Sequence, residues 1–226
     1  KSYAGGPSPT PTLSTLEGLN RFVWDGRHTG LPGVEDVYIE AGYSGHKAAP
    51  GTYKMELEYG NQKATTTAII QQNPKLDIPD SQFAEYDSVM TEMETNVYEM
   101  HQLVTKLKSA QDQLSALLKK SDALPEALRE TGKKLVNDLQ EWDEQMVQRK
   151  SKAYDDVENF ENKFTANYMF LLNQTESSIP RVNASNLEEL KGLNSEWQKL
   201  KAEGNALLNT RIPQYNASLW QAGIGA

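Results

Sequence analysis

Apolar and polar positions alternate over part of the N-terminal third of the chain. In residues 52–59 every second side chain is apolar, which is the two-residue period of a β-strand. These apolar side chains belong to Tyr53, Met55, Leu57 and Tyr59. The next two residues, Gly60 and Asn61, are typical of a tight turn. Residues 63–71 are rich in β-branched side chains and predict the returning strand of a hairpin.

Two further strands are predicted ahead of this hairpin, over residues 20–25 and 37–41. Four or five short strands would form a small Ig-like or FnIII-like β-sandwich over residues 16–76. A sheet of this size has little core of its own, so we expect it to pack against a neighbour. The residues predicted to make contact at this domain junction are Phe22, Trp24 and Tyr53.

From Ser81 the pattern changes, and apolar positions recur every three or four residues as far as Leu118. This spacing predicts one long helix. Acidic side chains dominate the first half of the predicted helix and lysines its end, an arrangement that complements the helix dipole.

Three shorter apolar stripes follow the long helix. The first begins near Pro125, a residue suited to the first helical turn, and the second begins within 153–157. At the start of the third, Ser185 and Glu188 match a capping box. Four stripes with short links predict an antiparallel bundle of about four helices over residues 80–222. The whole chain is therefore expected to be an α+β multidomain protein.

The composition adds a linker to this picture. Residues 1–15 are rich in Gly, Pro, Ser and Thr, which is typical of an extended linker. The chain begins at Lys1 rather than Met, and we expect it to be a piece of a longer polypeptide with a further domain upstream. Cysteine is absent, which excludes disulfides and thiolate chemistry within these 226 residues.

The charge is unevenly distributed. The chain has a formal net charge of −8, and nearly all of the excess lies in the predicted helical half. An acidic surface argues against nucleic acid, whose phosphates need a basic face, and against docking on anionic lipid. No apolar run reaches the roughly 18 residues that a membrane helix requires. We therefore expect neither nucleic-acid binding nor membrane insertion.

Two short motifs resemble a known family. The run Gly18-Leu-Asn-Arg-Phe-Val-Trp-Asp25, followed by Pro50-Gly-Thr-Tyr53 and a hairpin, resembles the segment after the β-propeller in bacterial BNR-repeat, sortilin-like exported proteins. These proteins are often labelled glycosyl hydrolases. The resemblance implies a C-terminal segment of an exported protein, whether periplasmic, cell-surface or extracellular. The hydrolase label would belong to the propeller, so the resemblance implies no catalysis in this chain.

Residues that could carry chemistry are sparse. His28 and His46 are predicted to lie in loops with Asp25, Glu35 and Asp36 nearby in sequence, and a His/carboxylate metal site is one interpretation. No His-x-His or His-x3-His spacing supports it, so ordinary loop polarity is favoured. We therefore predict no catalytic residue, no cofactor and no metal ligand.

Two other groups of polar residues have structural interpretations. His101 lies among core-spaced residues of the long helix, which favours a packed or partly exposed histidine. Paired carboxylates such as Glu188 and Glu189 favour charge patterning on a solvated helix face over a glycosidase pair, which needs two carboxylates across a cleft.

These observations lead to two functional hypotheses. The first is a non-catalytic accessory or interaction segment that mediates domain packing or protein assembly, with the upstream propeller or an associated protein as its partner. The alternative is a carbohydrate-binding module of a polysaccharide-degrading enzyme, in which an exposed Trp24, or a row formed by Tyr43 and Tyr53, would bind a sugar. An enzyme in its own right is disfavoured, since it would need a cleft that holds His28 or His46 with carboxylates.

Overall fold

A computed structural model of the chain describes residues 3–120 and 124–224. The described residues are 54% helical, with one two-stranded antiparallel sheet. Residues 1–2 of the predicted linker and residues 121–123 of the predicted bundle lie outside the described residues.

Five α-helices follow the sheet within the described residues. They are α1 (Asp80–Lys120), α2 (Glu126–Met146), α3 (Phe164–Glu176), α4 (Ala184–Ala206) and α5 (Ile212–Gln221). A 3₁₀ turn at Tyr154–Glu158 precedes α3, and a π-helical turn at Leu207–Arg211 joins α4 to α5. The predicted long helix is confirmed, and α2 begins directly after Pro125, as its sequence indicates.

Two helix starts differ from the prediction. The second of the shorter stripes, expected to begin within 153–157, forms only the 3₁₀ turn there, and α3 begins at Phe164. The start of α4 is capped by Asn183, whose Oδ1 accepts the backbone N–H of Asn186 at 2.8 Å. Asparagine caps a helix as well as serine does, so the helix begins just before Ser185 and the capping-box assignment is wrong.

The helices lie side by side in three rows along the bundle axis, which we call columns. The first column is α1 alone. At 1.5 Å per residue α1 is about 60 Å long. The second column consists of α2 and α3 end to end, antiparallel to α1. Arg129, near the start of α2, donates to the carbonyl of Leu118 near the end of α1. Asn96, in the first half of α1, donates to the hydroxyl of Tyr168 in α3.

The third column is the continuous run of α4, the π-helical turn and α5. Asn194 donates a hydrogen bond to Glu92 at 2.7 Å, and Lys201 pairs with Glu99 at 2.6 Å. Residue numbers thus rise in the same direction along both columns, so the third column is parallel to α1. The prediction of an antiparallel bundle of about four helices is therefore corrected. A helical bundle is present, but α3 continues the column of α2, and the last column has the direction of the first.

The predicted Ig-like or FnIII-like β-sandwich over residues 16–76 is wrong. The hairpin is present, as β1 (Gly51–Tyr59) paired antiparallel with β2 (Gln62–Ile70). The strands predicted over 20–25 and 37–41 do not form, and the described residues contain no second sheet to face the hairpin.

Residues 26–48, which we call the strap, lie on the helical bundle instead. The strap contacts α1, where His101 Nδ1 is 2.6 Å from the carbonyl oxygen of Pro32, and α3, where Asn173 Oδ1 accepts the N–H of Gly42 at 2.6 Å. Its apolar side chains belong to the same core as those of the helices. They are Leu31, Val34, Val37, Ile39 and Tyr43. The alternation of apolar and polar residues over 37–41 therefore identifies the buried side chains correctly. It does not show that helices, rather than a second sheet, cover them.

Candidate functional site

The two ends of the strap pair with each other in an irregular antiparallel ladder. The N–H of His28 donates to the carbonyl of His46 at 2.9 Å, and Arg27 lies opposite Lys47 in a bridge of the same register. The other hydrogen bonds in this register run from Ala48 to Gly26 (2.8 Å) and from Leu31 to Tyr43 (2.7 Å). His28 and His46 are therefore directly opposite each other, which brings their side chains together on one face.

Gly45 permits this close pairing. A Cβ atom at position 45 would collide with the carbonyl group of His28. The carbonyl of Gly45 accepts a hydrogen bond from Arg27 Nη1 at 2.9 Å, and the same nitrogen lies 3.0 Å from Glu176 Oε1 at the end of α3. Arg27 thus links the ladder to α3, and Gly45 allows the two segments of the ladder to approach each other.

The two imidazole rings stack, with their centroids 4.0 Å apart and their planes inclined by 13°. Both rings direct Nε2 at one carboxylate of α1. The distance to Asp87 Oδ1 is 3.1 Å from His46 and 3.6 Å from His28. The His46 side chain is 1% exposed, whereas those of His28 and Asp87 are 39% and 44% exposed. The cluster is therefore closed on the His46 side and open to solvent on the other.

Glu94, two turns further along α1, holds His46 in place. Its Oε1 accepts the backbone N–H of His46 at 2.7 Å, and its Oε2 lies 3.0 Å from His46 Nδ1. Burial acts to lower the pKa of His46, but the carboxylates of Glu94 and Asp87 outweigh burial and raise this pKa above its ordinary value. The ring is therefore held between two negative charges.

The structure brings the two histidines together, but with carboxylates that are distant in sequence. Asp25, one of the carboxylates near His28 in sequence, accepts the N–H of Arg27 within its own loop at 3.1 Å. Sequence reasoning missed Asp87 and Glu94, because carboxylates on a long acidic helix look like a solvated face. Their one signal is a seven-residue spacing, which places both on the same face of α1 as the buried Met90.

The predicted contact residues lie near the root of the hairpin. The rings of Trp24 and Tyr53 are in contact, with centroids 5.2 Å apart. The indole N–H of Trp24 donates to the carbonyl of Arg27 at 2.8 Å. The hydroxyl of Tyr53 donates to the carbonyl of Ala49 at 2.7 Å. The structure therefore brings Trp24 and Tyr53 together at a half-buried position, whereas the side chain of Phe22 is exposed.

Beyond its root the hairpin is exposed to solvent, apart from the half-buried Ala68 and Ile70. One of its faces, which we call the hairpin face, carries a row of apolar side chains. This row consists of Tyr53, Met55, Leu57 and Tyr59, of which Leu57 and Tyr59 are 53% and 76% exposed. Neither strand pairs with a third strand among the described residues. An isolated two-stranded hairpin is marginally stable in water, and exposed apolar rows of this kind are typical of interaction surfaces.

Comparisons with protein-family models, with curated proteins and with solved structures gave no significant match to this chain. The resemblance to BNR-repeat proteins therefore stays a prediction. Among the described residues, no helix has both the length and the apolar character needed to cross a membrane.

Proposed function

We propose that this chain is a non-catalytic accessory segment of a larger exported protein, in which it packs a neighbouring domain against the helical bundle. The observation that supports the proposal most directly is the hairpin face. Three of its four apolar side chains, those of Met55, Leu57 and Tyr59, are exposed, although the strap and the helices bury theirs in a common core.

The occupant that we propose for the hairpin face is a β-rich domain that precedes this chain in the same polypeptide, such as the propeller that the resemblance implies. The hairpin offers what another sheet can bind, namely two strand edges with free N–H and C=O groups and an apolar face. Binding of this kind would also cover the exposed strand edges, which otherwise favour aggregation.

The path of the chain supports this choice of occupant. The residues that lead into the hairpin root carry further exposed apolar side chains. These are Leu16, Leu19, Phe22 and Val23. They directly precede Trp24, which contacts Tyr53 of β1. A domain upstream of this stretch would therefore be tethered next to the hairpin, and a short tether makes a weak interface effective.

The strap connects the hairpin to the bundle. β1 begins at Gly51, three residues after Ala48, which is buried and hydrogen-bonded in the ladder. The ladder in turn is held to α1 by Glu94 and to α3 by the contact between Arg27 and Glu176. A domain bound to the hairpin face would thus be fixed relative to the helices.

The geometry supports the carbohydrate-binding alternative less well. A sugar-stacking tryptophan needs a free ring face, but Trp24 is half-buried and packs on Tyr53. Its indole N–H also donates within its own loop. Packing against a neighbouring domain requires neither a free ring face nor a free indole N–H at Trp24.

The test compares this chain alone with the longer polypeptide that contains it, by amide hydrogen exchange. We expect residues 51–70 to exchange rapidly in the chain alone and slowly in the longer protein. Leu57→Glu should abolish the protection, because it places a charge in the middle of the hairpin face. Thr67→Glu is the matched control, since Thr67 is exposed on the opposite face, across from Lys54.

Equal exchange in the two proteins would contradict the proposal, as would protection that survives Leu57→Glu and is lost in Thr67→Glu. Slow exchange of the hairpin on addition of an oligosaccharide to the chain alone would instead support the carbohydrate alternative.

A further inference from the structure

We propose that His28, His46 and Asp87 bind a divalent transition-metal ion, with Zn²⁺ as the reference case. This inference does not depend on the function proposed above. Each of the three residues offers one ligand atom, and these atoms all lie within 4.8 Å of one another. Two imidazoles and one carboxylate form a common protein ligand set for zinc, which leaves a fourth position for water.

The two distances to Asp87 match those of a metal site. Zinc binds imidazole nitrogen and carboxylate oxygen at about 2.0–2.2 Å, so two ligand atoms of a tetrahedral site lie about 3.4 Å apart. The distances from Asp87 Oδ1 to the Nε2 atoms of His46 and His28 are 3.1 and 3.6 Å, one on each side of this value. A metal ion lies in the plane of each imidazole ring that binds it, so closure around an ion would turn the partly exposed His28 side chain out of its stack on His46.

Glu94 supplies the outer contact that metal-bound histidines require. In metal sites the ring nitrogen that does not bind the metal is held by a carboxylate or a carbonyl group, which orients the ring. Glu94 Oε2 lies 3.0 Å from His46 Nδ1, within ion-pair distance but without the geometry of a hydrogen bond, and Glu94 Oε1 accepts the backbone N–H of His46. The buried ring is thus oriented with Nε2 toward Asp87 and the open side of the cluster.

Charge and access favour a cation at this place. Asp87 and Glu94 bring two carboxylates to two imidazoles, and a divalent ion would neutralise them. Imidazole ligands favour zinc, copper, nickel and iron over magnesium and calcium. Because His28 and Asp87 are both partly exposed, an ion can enter from solvent and keep a water ligand.

The ladder explains why this site is formed by residues far apart in sequence. The register places His28 opposite His46, and Gly45 allows the two segments to approach closely enough. Two ligands therefore come from the strap and one from α1. A bound metal would fasten the strap to the longest helix.

The test is titration of the tag-free chain with Zn²⁺ alone, followed by calorimetry and by metal analysis after dialysis. We expect one ion per chain. Asp87→Asn and His28→Ala should each weaken binding at least tenfold, because each removes a ligand. Both positions are partly exposed, so these variants should fold, which circular dichroism checks. Glu85→Gln is the matched control, since it removes the same charge from an exposed position on α1.

Nitrogen-15 NMR of the histidine rings supplies a second measurement. On addition of Zn²⁺ we expect the Nε2 signals of His28 and His46 to move to metal-bound positions, while those of His101 stay unchanged. Absence of binding to the folded chain at zinc concentrations up to about 0.1 mM would overturn the proposal. Affinity that is unchanged in Asp87→Asn and His28→Ala would also overturn it, because the metal would then be bound elsewhere.

Discussion

The strap and the hairpin are two antiparallel pairings of opposite character. The hairpin keeps one register along both nine-residue strands, but most of its side chains are exposed. The strap has one regular bridge and a few further hydrogen bonds, yet it buries five apolar side chains in the core of the bundle. Regular backbone pairing and a contribution to the core are therefore separate properties in this protein.

The free energies of side-chain burial and of backbone hydrogen bonding indicate which of the two regions is more stable. Complete burial of an Ile or Leu side chain stabilises a fold by about 1.5–3 kcal/mol. A hydrogen bond contributes only about 1 kcal/mol net, because water competes for the same groups. We therefore expect the irregular strap to unfold together with the helices and the regular hairpin to open separately.

The largest expected effect comes from one chemical change made in both regions. Ile39 in the strap is 4% exposed, and Ile69 in the hairpin is 69% exposed. Ile39→Ala should lower the free energy of unfolding by about 3 kcal/mol, because it leaves a cavity in the core. Ile69→Ala should change it by less than about 0.5 kcal/mol. Urea denaturation measures both, and equal losses would contradict the distinction.

A second pair of variants concerns glycine. Gly45→Ala should lower the free energy of unfolding by about 2 kcal/mol, since the new Cβ meets the backbone of His28 and one segment of the ladder must move. Gly60 has φ +56° at the hairpin turn with open space around it, so Gly60→Ala costs about 1 kcal/mol of backbone strain. We expect this strain to appear as faster exchange in the hairpin, with the thermal midpoint unchanged. A lower midpoint for Gly60→Ala than for Gly45→Ala would show that the hairpin is part of the cooperative unit.

A smaller effect is expected from pH, through the contact between the strap and His101. In the neutral ring, Nδ1–H donates to the carbonyl of Pro32 at 2.6 Å, while Nε2 is buried without a hydrogen-bond partner among the described residues. Burial lowers the pKa of His101 below its ordinary value of 6.5. Protonation would place an unpaired charge in the core.

The sign of this effect follows from proton uptake. Below pH 6.5 the unfolded chain binds a proton at residue 101 that the folded chain resists, so the contribution of His101 is complete above pH 6.5 and is lost as the pH falls below it. The slope from one such group is at most about 1.4 kcal/mol per pH unit. In His101→Asn, whose amide can still donate to Pro32, this part of the pH dependence should disappear. Urea denaturation of the unchanged chain and of His101→Asn at pH 7.5 and at pH 5 measures this difference. An equal pH dependence of the two proteins would contradict the role assigned to His101.

The hairpin and the helices could be predicted because their signals are local. Period-two alternation before the Gly60-Asn61 turn identified the hairpin, and the apolar stripe after Ser81 identified α1. The strap could not be predicted as such. Its alternating residues Val37 and Ile39 signal burial, and burial against a sheet or against a helix produces the same pattern. The sandwich prediction failed at this step.

The candidate site shows the same limit. The sequence singled out His28 and His46, but it could not show that the register of the ladder places one ring against the other. That register depends on a close backbone approach at Gly45 and on the anchor that Arg27 makes to α3. Asp87 and Glu94 lie on α1, and only the tertiary fold brings them to the histidines.

Native-state hydrogen exchange tests the central claim most directly, because it reports the opening free energy of single amides. The amides of His28, Leu31 and Ala48 donate in the ladder, and those of Met55 and Thr66 lie directly opposite each other in the paired strands. We expect the three ladder amides to exchange with the same free energy as the buried core of α1 and the two hairpin amides to exchange with a much lower one. Equal protection in the two regions, or stronger protection in the hairpin, would contradict the account.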